Sequence, residues 1–168
     1  FHSCSVSDIN NLIAQSFPFS ESDVITVIDK DYPSNVLPFM LKSERSKNIS
    51  VEMLNLNDQI VPTPEWLEQH MSPKTKIFCS SWVTFDTGKK IDAIAIGKYL
   101  KSKGIFFILD VTQGFGGLTI SKELLEVVDA ISCSSYKWLL GPYGHAFGYL
   151  SPRAQKKLHH PNANWVTS

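Results

Sequence analysis

Asp110 and Lys137 are the residues whose types and placement could do chemistry in this chain, and each stands just beyond a short apolar run. Ile105 to Leu109 is one such run, with Gly104 before it and Gly114 after. An apolar run between turn signals fits a strand buried on both faces. Asp110 then falls at the strand's C-terminal end, where open α/β sheets hold their ligands. A second run, Ala130 to Cys133, leads into Ser134, Ser135, Tyr136 and Lys137. Two neighbouring strands of this kind deliver a carboxylate and an amine to the same edge of one sheet.

A free lysine amine has a pKa of about 10.4, so only about one in two thousand is uncharged at pH 7. Condensation with an aldehyde cofactor removes that difficulty and gives a Schiff base ready to exchange with a substrate amine. Pyridoxal phosphate is such an aldehyde, and Asp110 can hold its pyridine nitrogen protonated. An opposite charge at about 4 Å and an effective dielectric near 20 contributes roughly 4 kcal/mol before desolvation, about a thousandfold in proton affinity. A protonated ring draws off the electrons released at a substrate's α-carbon.

The wording around these residues is specific. Asp110-Val-Thr-Gln113, followed by Ser134-Ser-Tyr-Lys137-Trp-Leu-Leu-Gly141-Pro, resembles the cofactor signature of the class V aminotransferase-fold family. That family includes cysteine desulfurases, kynureninase and isopenicillin N epimerase. The resemblance implies that Lys137 is the Schiff-base lysine, that Asp110 partners the pyridine nitrogen and that Gln113 bonds the phenolic oxygen. It makes Ser134 a phosphate ligand, with Tyr136 beside it where many relatives have His. Where similar enzymes read Glu-His-Pro-Ser-Asn, this chain has Asp31-Tyr32-Pro33-Ser34-Asn35. Tyr32 takes the ring-stacking position and has the flat π-face the role needs. Relatives hold the phosphate with hydroxyls at the start of their first helix; Ser7 falls on one of those positions and Val6 on the other. Phe85 stands where desulfurases commonly place Asn, a departure that argues against desulfurase chemistry.

The elements that must position these residues follow from periodicity and punctuation. Ile9, Leu12, Ile13 and Phe17 are spaced for one helix face, with Ser5 or Ser7 as the cap. Val24 to Ile28 is a β-branched strand, and its loop turns helical near Ser34, with Pro38 in the first turn of a helix over 36–41. Ile49 to Leu56 alternates as a strand, with Val51, Met53 and Asn55 on one face. Thr63-Pro64-Glu65 is a helix start, and Lys76 to Ser81 is another strand. Ile91 to Lys103 reads as a helix ended by Gly104, with Ile91, Ile94, Ala95 and Tyr99 inward. Ser121 caps a short helix, Ala146 to Leu150 is a return strand, and a basic helix runs from Pro152 to Leu158.

Composition narrows the function classes. The chain has 168 residues, 43% of them apolar, enough for one domain with a real core. Sixteen basic and sixteen acidic residues balance, so no bulk field recruits nucleic acid or a membrane surface. No apolar run approaches the roughly eighteen residues of a membrane span. Three cysteines without a C-x-x-C pair speak against a disulfide framework or zinc site, and cytoplasm is the expected compartment. His159 and His160 are adjacent and have no acidic or Cys partner nearby, so no metal site is expected there.

Strands and helices alternate throughout, which predicts a three-layer α/β domain with a mostly parallel sheet. By resemblance this is the fold type I large domain of a pyridoxal-phosphate enzyme, incomplete over 1–168 and without the C-terminal small domain of its longer relatives. The expected function is chemistry at the α-carbon of a small amino-acid substrate: transamination, elimination or epimerisation. A homodimer is expected of the full-length enzyme. The alternatives are a cysteine desulfurase or selenocysteine lyase, whose nucleophilic Cys has no match here, and a truncated, non-catalytic product that keeps the fold. Arg45 and Arg153 are the only arginines, and neither follows a strand at the cofactor edge.

Overall fold

The computed structural model of this chain describes residues 1–57 and 61–159; His160 of the histidine pair lies outside them. Among the described residues, seven strands form one sheet in the order β1-β7-β6-β5-β4-β2-β3. Strands β2 (Val24–Ile28), β3 (Ser50–Leu54), β4 (Thr75–Ser81), β5 (Phe106–Asp110) and β6 (Ala130–Ser134) pair in parallel. Strand β7 (Ala146–Leu150) runs antiparallel to β6, and β1 (His2–Ser3) antiparallel to β7. Strand β1 was not anticipated; at two residues it is too short to leave a periodic signal.

Strand β5 shows why the central strands read as unbroken apolar runs. Phe106 and Ile108 enter one core with Ile9, Ile13 and Phe17 of α1 (Val6–Ser16 and its cap) and Phe39 of α2 (Leu37–Ser46). Phe107 and Leu109 enter the other with Leu67 of α3 (Pro64–His70), Ile96 and Leu100 of α4 (Ala93–Ser102), and Leu124 of α5 (Lys122–Val127). Side chains alternate across a strand, so a sheet covered on both faces needs apolar residues at every position. Each buried Phe, Ile or Leu contributes about 1.5–3 kcal/mol. The last helix, α6 (Pro152–Lys157), sets Ala154 in the first of these cores. The three-layer, mostly parallel arrangement is the one anticipated.

Two helix starts follow their caps: Ser5 Oγ accepts from the Asp8 N–H at 3.0 Å, and Thr63 Oγ1 from the Trp66 N–H at 3.2 Å. Val51 and Met53 share a face of β3, but β3 is the sheet's edge: Met53 is 50% exposed and only Leu54 is buried there. A second expectation needs refinement. Ile91 is buried as expected, just ahead of α4, but the helix's buried face is Ala93, Ile96, Gly97 and Leu100, with Ile94 and Tyr99 packed half-buried at its side. Asp92 caps the helix, so Ile91 precedes it; Gly97 faces in because a Cβ there would meet Val127 Cγ2 of α5 at 2.6 Å.

An ion pair buried on its acidic side ties the last helix to the sheet. Asp129, fully buried, accepts from the Phe107 N–H at 2.9 Å and from Arg153 Nε and Nη2 at 2.7 and 2.5 Å. Asp129→Ala leaves a β5 backbone donor buried without a partner and releases the bidentate arginine. We expect a loss of about 2–4 kcal/mol in urea unfolding, well beyond an exposed pair such as Lys98–Glu123.

Candidate active site

The parallel strands place their C-terminal ends side by side. Ser81 ends β4 in register with Asp110 at the end of β5, and Asp110 is in register with Ser132 of β6. Beyond β6 the chain turns through Lys137, and beyond β2 it turns through Asp31 and Tyr32. One cleft results. Tyr32, Asp110, Gln113, Ser134, Tyr136 and Lys137 all line it, together with Val6, Ser81, Phe85 and Thr112. Six of the seven residues expected at the site are thus gathered. Ser7 is not among the lining residues: its hydroxyl donates to Ser34 Oγ at 2.8 Å, while Val6 faces the cleft.

The Lys137 loop is tightly held. Ser135 Oγ lies within hydrogen-bond distance of the carbonyls of Pro142 (3.0 Å) and His145 (2.9 Å), and the Gly141 N–H donates back to Ser135 O at 2.8 Å. A Cβ at Gly141 would meet Ser135 Oγ at 2.6 Å. Gly116, at φ +106, lets the loop after β5 lie against the Trp138 carbonyl, where a Cβ would come within 2.8 Å. Lys137 Nζ sits 5.3 Å from the Tyr32 ring centroid and 6.0 Å from that of Tyr136. Phe85 packs edge-on against Tyr32, and Tyr143 stacks on Tyr136. Burial, with the Tyr32 phenol beside it, pushes the Tyr136 hydroxyl up to about 12, so it stays a proton donor at neutral pH.

Asp110 is 4% exposed. Its Oδ1 accepts from the Thr112 N–H at 2.9 Å and its Oδ2 from Asn35 Nδ2 at 3.3 Å. Burial raises it above the ordinary carboxylate range; the Asp31 charge adds to this and the bonds from Thr112 and Asn35 oppose it. Among the described residues no cationic side chain pairs with it. A buried carboxylate without a cation is costly, and this one opens on a cleft. A protonated ring nitrogen fits that vacancy of charge, and the amine of Lys137 in the same cleft suits the aldehyde. The residues present therefore fit pyridoxal phosphate.

Sequence reasoning missed a polar network below the cleft. Asp31 Oδ1 accepts from Ser81 Oγ and the Tyr32 N–H, both at 2.6 Å, and Oδ2 from the Ser81 N–H at 2.8 Å. Asn35 Nδ2 reaches both Ser81 Oγ (3.0 Å) and Asp110 Oδ2, and Asn35 Oδ1 accepts from Asn10 Nδ2 at 3.1 Å. The signal was available: Asp31 follows a buried strand closely, much as Asp110 ends one.

Fold and cleft together define a class: an α/β domain with its site at the carboxyl edge of a parallel sheet. The chain belongs to the aminotransferase class-V family, whose model matches residues 1–164. It is 28% identical over 153 residues to a probable cysteine desulfurase of Borreliella burgdorferi, covering 89% of this chain and 36% of that protein. It is 28% identical over 96 residues to isopenicillin N epimerase of Streptomyces clavuligerus, covering 57% of this chain and 24% of the epimerase. Among solved structures, apo cysteine desulfurase from Thermococcus onnurineus superposes with a TM-score of 0.86 at 20% identity, over 98% of this chain and 41% of that one. A C-DES mutant carrying glycine covalently linked to its PLP cofactor superposes at 0.85 with 18% identity, over 94% and 42%. At such identities the superpositions establish the fold. The chain spans roughly a third of the length of curated relatives it matches, 36% and 37% for two probable cysteine desulfurases.

Proposed function

We propose that this chain is the cofactor-binding part of a pyridoxal-phosphate enzyme acting at the α-carbon of an amino acid. The observation that carries the reading is the buried, cation-free Asp110 sharing one cleft with Lys137. When bound, pyridoxal phosphate supplies an aldehyde for an amine and a ring that accepts electrons. In this reading Lys137 anchors the cofactor and moves the α-proton, and Asp110 holds a proton at the ring nitrogen. Gln113 donates to the phenolic oxygen and Tyr32 covers the ring. Ser134, Tyr136 and Ser7 hold the phosphate, Ser7 after releasing Ser34. Which α-carbon reaction follows depends on how the substrate is held. Arg153 is engaged by Asp129, and neither it nor Arg45 lines the cleft.

Cysteine desulfurase is the second reading, favoured by the matching relatives. Within these residues, burial pushes Cys133 up to about 12 and Cys79 well above the ordinary thiol range, so neither is a ready thiolate. Cys4 is exposed but does not line the cleft. We also read the complete enzyme as a homodimer in the cytoplasm. Support for the dimer comes from the apolar surface beside the Lys137 loop, where Trp138, Leu140 and Tyr143 are 59%, 91% and 84% exposed. For the compartment, the support is the three free cysteines. No described helix is long and apolar enough to cross a membrane.

The test is titration with pyridoxal phosphate and with pyridoxal, followed by visible absorbance. A site that grips the phosphate binds the phosphorylated aldehyde at least about tenfold more tightly, the worth of one charge-assisted hydrogen bond. Equal affinities, or no absorbance change, would sink the proposal.

A further inference from the structure

We infer that Asp31 is a positioning residue of this site: it fixes Tyr32 above the Lys137 amine and, through Ser81 and Asn35, locks that ring to the carboxylate of Asp110. The inference rests on the proposed function and adds to it a residue that touches neither cofactor nor substrate.

The argument begins at the end of β2. The chain turns there with Lys30 at φ 61, a left-handed conformation that a lysine rarely adopts, and the Asp31 N–H returns to Ile28 O at 3.2 Å. A strained turn persists when its surroundings over-determine it. Asp31 supplies the surroundings: its carboxylate takes the Tyr32 N–H and both donors of Ser81, all charge-assisted bonds. Tyr32 is thereby held from its amide side. Its carbonyl is held by the Asn35 N–H at 2.8 Å, and the Asn35 side chain bonds Ser81 Oγ and Asp110 Oδ2. Both ends of Tyr32 thus return to one network, which also contains the acid beneath the cleft. The Tyr32 ring meets, among the described residues, the edge of Phe85, itself 45% exposed, the Lys137 amine and the Tyr136 phenol, none of which fixes its backbone. Placement of the ring is set from the backbone, and the backbone is set by Asp31.

The test uses Asp31→Asn, which keeps size and one oxygen but points an N–H at the Ser81 N–H. Pyridoxal phosphate affinity is measured for wild type, Asp31→Asn, Tyr32→Ala and the double variant. Asp31→Asn is expected to weaken binding about tenfold, one charge-assisted bond's worth. Adding it to Tyr32→Ala should weaken binding no further, because both changes remove the same ring placement. A second readout needs no cofactor: acetylation of Lys137, read by peptide mass mapping, rises severalfold in Asp31→Asn while exposed Lys122 is unchanged. Wild type that binds while Asp31→Asn binds equally well overturns the inference alone, as do additive effects in the cycle. Wild type that takes up no cofactor overturns both readings. If Asp31→Asn fails to fold by circular dichroism, Ser81→Ala removes the hydroxyl link only; binding unchanged by that variant also overturns the inference.

Discussion

Lys137→Ala abolishes covalent capture of pyridoxal phosphate. Borohydride reduction and peptide mass mapping should place the pyridoxyl group on Lys137 in the wild type and on no lysine in the variant. The amine of Lys137 is in no ion pair among the described residues, and it lies over two aromatic rings in the cleft that holds Asp110. By contrast, Lys103 is engaged by Glu68, and Lys122 lies at the start of α5 away from the cleft. A label on either would defeat the assignment. Because the Lys137 side chain makes no ion pair or hydrogen bond among the described residues and only two long cation–π contacts, the variant should unfold within about 1 kcal/mol of wild type. Lost capture then reads as lost chemistry.

Asp110→Asn leaves capture by Lys137 possible but suppresses α-proton exchange about a thousandfold, the equivalent of roughly 4 kcal/mol for one ion pair at moderate dielectric. The comparison is made at equal cofactor occupancy, with the complete enzyme in deuterated solvent; equal exchange rates would contradict the role. The cofactor-free protein gives an independent check. Burial raises both Asp110 and Asp31, so the folded chain holds these protons more tightly than the unfolded chain does. Their contribution to stability is complete below the unfolded carboxyl value of about 4 and is lost as pH rises through the folded values. Urea midpoints should therefore decline with pH above about 4. That decline should be shallower in Asp110→Asn and in protein loaded with cofactor, whose cationic nitrogen compensates the charge.

The central strands were legible because they are covered on both faces, so every residue from Phe106 to Leu109 had to be apolar. The helix before β5 was legible in extent and only partly in phase. Its tight face is made of Ala93 and Gly97, and small residues that permit close approach carry little hydrophobic signal. Asp110, Gln113, Ser134 and Lys137 stood out in the sequence because chemistry and motif coincide at strand ends, and the fold brings them to one cleft. The Asp31–Ser81–Asn35 network was not, because it exists only once β2, β4 and β5 lie side by side. Ser7 illustrates a finer limit: with Ser5 as cap, Val6 is the first helical residue and turns toward the cleft, carrying Ser7 to Ser34.

The pairing of β1 with β7 has a consequence for how the protein is made. His2 lies opposite Phe147, and the Phe1 nitrogen donates to Gly148 O across a separation of 147 residues. Joining such distant segments adds little entropy penalty, since each doubling of a loop contributes only about 0.6 kcal/mol. Timing is the larger matter. At about 5–20 residues per second, a nascent chain carries β1 for roughly 7–30 s before its partner is synthesised across those 147 positions. Helix α1 follows β1 directly, bringing Val6 to the cleft and Asn10 to the Asn35 network. The β1 end of the wall that α1 contributes is fixed only after β7 has emerged, so a ribosome-bound chain should become competent to capture its cofactor only once β7 has left the ribosome.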